Sequence, residues 1–232
     1  MKKQIVVIGL GRFGASVAST LSSIGHEVLA LDPDETLVQQ MASQITHVVQ
    51  ADPTNESALR ELGISNFDIG FVTISVIETS VLSTILLKKL GVRYVIARAV
   101  NDLHATILTK IGADKVVYPE REMGTGIAYV LTLGDVIDYI PVTPEYGVVK
   151  MSVQSNFVGK TLSELGFGHH GRWEVIVLLI QHKQDILISP SSTETLKSGD
   201  VMVVSGSWDK LEKLFSNVQT NTSDKGSKNG TE

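Results

Sequence analysis

Four consecutive apolar residues, Ile5 to Ile8, run directly into Gly9-Leu10-Gly11-Arg12-Phe13-Gly14. That junction constrains the fold more than any other stretch. A short unbroken apolar run suits a parallel strand covered on both faces. In the G-x-G-x-x-G that follows, Gly9 permits a tight turn and Gly11 lets backbone approach a phosphate. Gly14 lets the next helix lie close to the sheet. A helix is expected from about Phe13 to Ile24, with Val17, Leu21 and Ile24 on one face and Gly25 ending it. A second strand, His26 to Leu31, ends in Asp32, eighteen residues beyond Gly14.

The motif alone is weak; its place between strand and helix, with an acid closing the second strand, makes it specific. Asp32 has two readings. Its carboxylate can accept hydrogen bonds from ribose hydroxyls and repel a 2′-phosphate, which disfavours NADP. It can also cap a helix that starts at Pro33. The glycines likewise admit a turn that binds nothing.

Composition removes several function classes. There is no cysteine, so disulfides, thiolate metal sites and cysteine nucleophiles are excluded. The net charge of −5 and the lack of a basic patch argue against nucleic acid as a partner. The longest clear apolar run, Val175 to Ile180, is far short of the roughly 20 residues of a membrane span. The expectation is a soluble cytoplasmic protein.

Strand and helix signals then alternate. Strands are expected at His47 to Ala51, Ile69 to Ser75, Tyr94 to Val100 and Lys115 to Tyr118. Helices fall between them, with Thr54 and Asn101 as caps. This pattern implies right-handed βαβ units and an α/β Rossmann-type doubly wound parallel sheet of six strands. Ligands of such sheets bind beyond the carboxyl ends of the strands. The rule nominates Gly9 to Phe13, with Gly11, Arg12 and Phe13 among them, then Asp32, Asp52, Ser75, the Arg98 to Asn101 segment and Glu120. Arg12 can reach a terminal phosphate or stand solvated. Arg98 can pair across the sheet or face ligand. Glu120 is an ordinary first-turn acid or a carboxylate beside phosphates, where it repels unless a cation intervenes.

From about Arg121 to Asp138 the pattern reads as one long helix, apolar on more than one face, that packs on a second subunit or on its own domain. Beyond it the chain changes character. Strands at Gly147 to Val153, Trp173 to Ile180, Asp185 to Ile188 and Val201 to Ser205, with helices after Thr161 and at Trp208 to Phe215, make a second, smaller α+β domain. The expected division is residues 1–120, a linking helix 121–139, a second domain 140–218 and a disordered tail 219–232. His169 and His170 lack the spacing of a metal pair and read as loop histidines.

The motifs IGLGRFG, ARAVNDLHATILTKIGADKVVYPEREMG and VGKTLSELGF…TLKSGDVMVVSG, together with Asp32, resemble the RCK (regulator of potassium conductance) family. Within it they are similar to the gating subunits of Ktr-type potassium transporters. The likeness runs to about residue 217. It implies nucleotide-binding RCK-N and regulatory RCK-C domains, and ATP or ADP in the first, with ATP favouring conduction. Some members bind NAD(H) at the same site. It implies dimers assembling into an octameric ring, docked at the inner face of the membrane on a separate potassium-translocating subunit. It also makes Arg12 the reader of the terminal phosphate and Asp32 the ribose ligand. Asp52, Pro53, Ser75, Arg98, Ala99, Val100 and His104 become lining positions. Glu120 becomes the place where Mg²⁺ or another divalent cation meets phosphate. Some members bind cyclic di-AMP between paired second domains; no residue here assigns it. The implied role is not enzymatic. The alternatives are an NAD(H)-reading redox sensor and an NAD-dependent oxidoreductase.

Overall fold

The computed structural model describes residues 2–132, 135–143, 145–168 and 170–222, with side chains through residue 215. The chain divides into two compact units, Met1–Arg121 and Glu122–Glu232.

The first unit alternates β1 (Gln4–Ile8), α1 (Arg12–Ser23), β2 (Glu27–Asp32), α2 (Glu35–Met41), β3 (His47–Gln50) and α3 (Glu56–Glu61). It continues with β4 (Ile69–Val72), α4 (Ile77–Lys89), β5 (Tyr94–Arg98), α5 (Asp102–Lys110) and β6 (Lys115–Val117). All neighbouring strands are parallel, in the order β3-β2-β1-β4-β5-β6. β1 explains its own unbroken apolar run. Val6 and Ile8 join one core with Leu31 and Val72, while Ile5 and Val7 join another with Val28 and Ala30. A strand buried on both faces has no solvent side to alternate with.

Two helix caps differ from expectation. α2 is capped by Asp34, which accepts the Thr36 N–H, and α3 by Asn55, which accepts those of Ser57 and Ala58. Asp32 and Thr54 each lie too early, because the chain turns for one or two residues before each helix begins. Asn101 caps α5 as expected, through the His104 N–H.

The long helix expected to Asp138 is two elements. α6 (Pro119–Thr132) opens on a proline suited to a first helical position, and β7 (Val136–Pro141) follows. Val136 and Ile137 fit either period, and pairing with the neighbouring strand decided for β. Leu133 lies outside the described residues.

In the second unit β7 joins β8 (Tyr146–Ser152), β9 (Ile176–His182), β10 (Asp185–Ile188) and β11 (Val201–Ser207) in an antiparallel sheet, ordered β10-β9-β11-β8-β7. α7 (Leu162–Leu165) begins in a capping box, with Thr161 and Glu164 each accepting the other's backbone N–H. Phe157, Phe167, Trp173, Met151, Met202 and Leu214 fill the core. Tyr129, Tyr139 and Trp208 form an aromatic cluster with ring centroids 4.4–5.2 Å apart. α8 (Trp208–Thr222) continues past Gln219, where the tail was expected to begin. Residues 223–232 lie outside the described residues, as does His169.

Candidate functional site

The sheet order reverses between β1 and β4, and a cavity of about 280 Å³ opens there, beyond the carboxyl ends of the strands. Gly9, Gly11, Asp32, Pro53, Ser75 and Arg98 line it, six of the residues nominated from sequence.

The three glycines do different work. Gly9 has φ +98, a left-handed conformation that a side chain strains. A Cβ on Gly14 would lie 1.9 Å from the Gly9 carbonyl oxygen and 2.4 Å from Thr73 Oγ1. Both glycines are required by the chain's own packing. Gly11 has ordinary backbone angles, and a Cβ there would meet nothing within 4 Å. No side chain caps α1, which starts beside it, and its first turn holds no acid. The opening amides of that helix are left for solvent or a bound anion.

Asp32 is buried, and both of its oxygens are engaged. Oδ2 accepts the Leu10 N–H at 2.6 Å and Oδ1 the Asp34 N–H at 2.9 Å. It therefore ties the glycine turn to the loop after β2, in place of the helix cap proposed as its alternative role. A carboxylate has lone pairs beyond these two bonds, so a ribose hydroxyl can still be accepted.

Thr73 is the main residue that sequence reasoning missed. Buried beside the turn, its hydroxyl lies 2.9 Å from the Ile8 carbonyl and 2.7 Å from the Gly9 carbonyl. The nominating rule was sound but the strand end was misplaced. β4 stops at Val72, so Thr73, not Ser75, is the first residue beyond it. Pro33, Ile74, Val76 and Thr79 complete the lining.

The remaining nominees lie outside the cavity. Arg12 is the first residue of α1, exposed, and pairs with no described residue. Phe13 is half-buried on the same helix. Asp52 is exposed and turned into its own loop. It accepts from Thr54 N and Oγ1 at 2.8 and 2.7 Å, and these bonds hold its carboxyl below the usual range. Ala99, just past the end of β5, is buried and Val100 is exposed.

His104 is fully buried at the start of α5. Its Nδ1 accepts the Val100 N–H at 3.4 Å, which leaves the proton on Nε2, an atom with no hydrogen-bond partner among the described residues. Burial lowers its pKa from 6.5. The unfolded chain therefore takes up a proton before the folded one does, and stability held above about pH 6.5 falls as the pH drops. Urea titrations at pH 7.5 and 5.5 should show a steeper loss for the wild type than for His104→Gln. Equal losses would remove His104 from the acid response.

Glu120 stands on the first turn of α6 and meets Arg98. Nη2 lies 2.5 Å from Oε1 and Nε 3.2 Å from Oε2, while Nη1 donates to the Thr73 carbonyl at 3.3 Å. The sequence left open whether Arg98 pairs or faces ligand; it pairs with Glu120, and it also lines the cavity. Next to this pair Arg121 meets Asp102 at 2.8 Å and covers the Tyr118 ring, so the start of α6 has two tethers. No group of three metal-ligating side chains occurs among the described residues. Among the described residues Glu120 therefore belongs to no such group, and its carboxylate is already paired with Arg98.

A larger open cavity, about 760 Å³, lies at the opposite ends of β1 to β3. In its lining Glu27 pairs with Lys2 and accepts from Gln4. It lies away from the strand ends where sheets of this kind take ligands. Among the described residues no helix is long and apolar enough to cross a membrane.

Comparison with known proteins places both units. The TrkA-N domain matches residues 5–119 and the TrkA-C domain residues 148–219. The Ktr system potassium uptake protein C of Bacillus subtilis (strain 168) is 39% identical, covering 94% of this chain and 98% of the relative. Ktr system potassium uptake protein A of the same organism is 38% identical, covering 88% and 91%. Among solved structures, the GsuK channel bound to NAD superposes with a TM-score of 0.61 at 18% identity, over 91% of this chain and 38% of that one.

Proposed function

The chain belongs to the family of Ktr system potassium uptake proteins, with a TrkA-N domain followed by a TrkA-C domain, and on that premise we propose that it is a nucleotide-sensing regulator of potassium transport. The proposed ligand is ATP or ADP, held in the cavity between β1 and β4, and the role is not catalytic. The observation that carries this reading is Gly11. Its neighbours in the chain give no steric reason for a glycine, yet it lines a cavity at the topological switch point, beside an uncapped helix start. Asp32 would accept a ribose hydroxyl. Arg98, inside the cavity, and Arg12, exposed next to Gly11 and with no partner among the described residues, would meet the phosphates. A cation at Glu120 would need ligand phosphates to complete its coordination.

The output would be a change in assembly geometry felt by a separate membrane subunit. The apolar side chains of Met123, Ile127 and Leu131, four residues apart on α6, are 51–78% exposed. That stripe supports self-association into dimers and a larger ring. The regulator would work at the cytoplasmic face through its transporter partner. For nucleotide to gate transport, ATP must bind one geometry of the ring more tightly than ADP does.

The test is calorimetric titration of the full chain with ATP, ADP, NAD⁺ and NADH, paired with small-angle scattering of each complex. ATP and ADP should differ in affinity and in assembly shape, and Arg12→Ala should lose ATP affinity more than ADP affinity. Equal binding with unchanged shape would reject the switch. A preference for NADH over both would favour a redox sensor.

A further inference from the structure

We infer that Glu120 is an internal competitor for Arg98: its carboxylate occupies the Nε/Nη2 fork of the cavity's cationic side chain, and a ligand phosphate must displace it to take that fork. The inference rests on the nucleotide reading and concerns the regulation of that same site. Among the described lining residues Arg98 is the only basic side chain and Asp32 the only acidic one. Among the lining side chains, recognition of negative charge therefore falls to Arg98, alongside the uncapped opening amides of α1.

Three of the five N–H donors of the guanidinium are engaged. Nε and Nη2 are taken by Glu120, and Nη1 by the Thr73 carbonyl. The edge taken by Glu120 is the forked face that a guanidinium offers to phosphate. Phosphate and Glu120 are therefore alternatives at the Nε/Nη2 fork, and without displacing Glu120 a phosphate has only the single N–H groups left on Nη1 and Nη2.

The pair is also unequal. Arg98 is 17% exposed and Glu120 62%. The arginine is held in place by its strand and by Thr73, whereas the glutamate lies mostly in water and returns to it at little cost. The partner that leaves is Glu120. Such a competitor discriminates by charge. A ligand with phosphates overcomes it, and a nucleoside without them never engages Arg98.

The test uses the full chain in EDTA, titrated calorimetrically with ADP, ATP and adenosine. Glu120→Gln should bind ADP and ATP about two- to fivefold more tightly, the range an exposed ion pair spans. Adenosine affinity should not change. In an Arg98→Gln background the gain should vanish, because the cycle isolates the coupling between the two side chains. Far-UV circular dichroism melts of each variant establish that it folds. Unchanged or weaker ADP binding by Glu120→Gln would overturn the inference, as would a gain that survives Arg98→Gln. A wild type that binds ADP while Glu120→Gln behaves identically would remove only the competitor. A wild type that binds no nucleotide would remove the functional reading and this inference with it.

Discussion

Gly14→Ala should destabilise the first unit by about 3 kcal/mol or more, at the upper end of overpacking costs. The added methyl would sit 1.9 Å from the Gly9 carbonyl oxygen and 3.0 Å from its carbon. Those are backbone atoms of a turn that Thr73 and Leu31 already pin by hydrogen bonds, so they cannot rotate away as a flexible side chain would. Relief requires α1 to move off the sheet, with loss of the core around Ala18. Hydrogen exchange across β1 and β4 is the proper measurement. Both tryptophans, Trp173 and Trp208, lie in the second unit, so their fluorescence does not report on the first. Protection of β1 amides within about 1 kcal/mol of wild type would show that the turn yields more easily than its hydrogen bonds suggest.

Gly11→Ala should do the reverse. The backbone angles at Gly11 suit any residue and the space beside it is open, so the fold should lose less than about 1 kcal/mol, the cost of a poorer helix cap. The same methyl would stand where phosphate must approach the opening amides of α1. ADP and ATP affinity should therefore fall at least about tenfold, roughly 1.4 kcal/mol. Calorimetry with each nucleotide, alongside a thermal melt, separates the two effects. Unchanged ADP affinity in a folded Gly11→Ala would mean that ligand does not lie over this turn. Two glycines three residues apart thus predict opposite phenotypes, one in stability and one in binding.

Much of this was readable in the chain itself. Ile5 to Ile8 feed two cores at once, and a strand with that demand has few homes other than a doubly covered parallel sheet. The acidic closure at Asp32 and the helix signals between strands gave the order of elements, and through it the strand ends where ligands bind. Where the reading slipped, the cause was local. Thr73 was passed over because β4 was drawn three residues too long. α6 was run through Val136 because an apolar stretch satisfies both helix and strand periods until a partner strand selects one.

Sequence determined the glycine turn, the doubly wound sheet and the roster of residues near its carboxyl edge, because periodicity and glycine placement are local properties. Only the tertiary structure decided what each roster member touches. It bound Asp32 to the turn as well as to the crevice. It left Arg12 outside the cavity and set Arg98 within it. It also joined Arg98 to a glutamate twenty-two residues away. A side chain's partner depends on which strands lie side by side. β5 and the start of α6 meet at the cavity through pairings that no short stretch of the chain encodes.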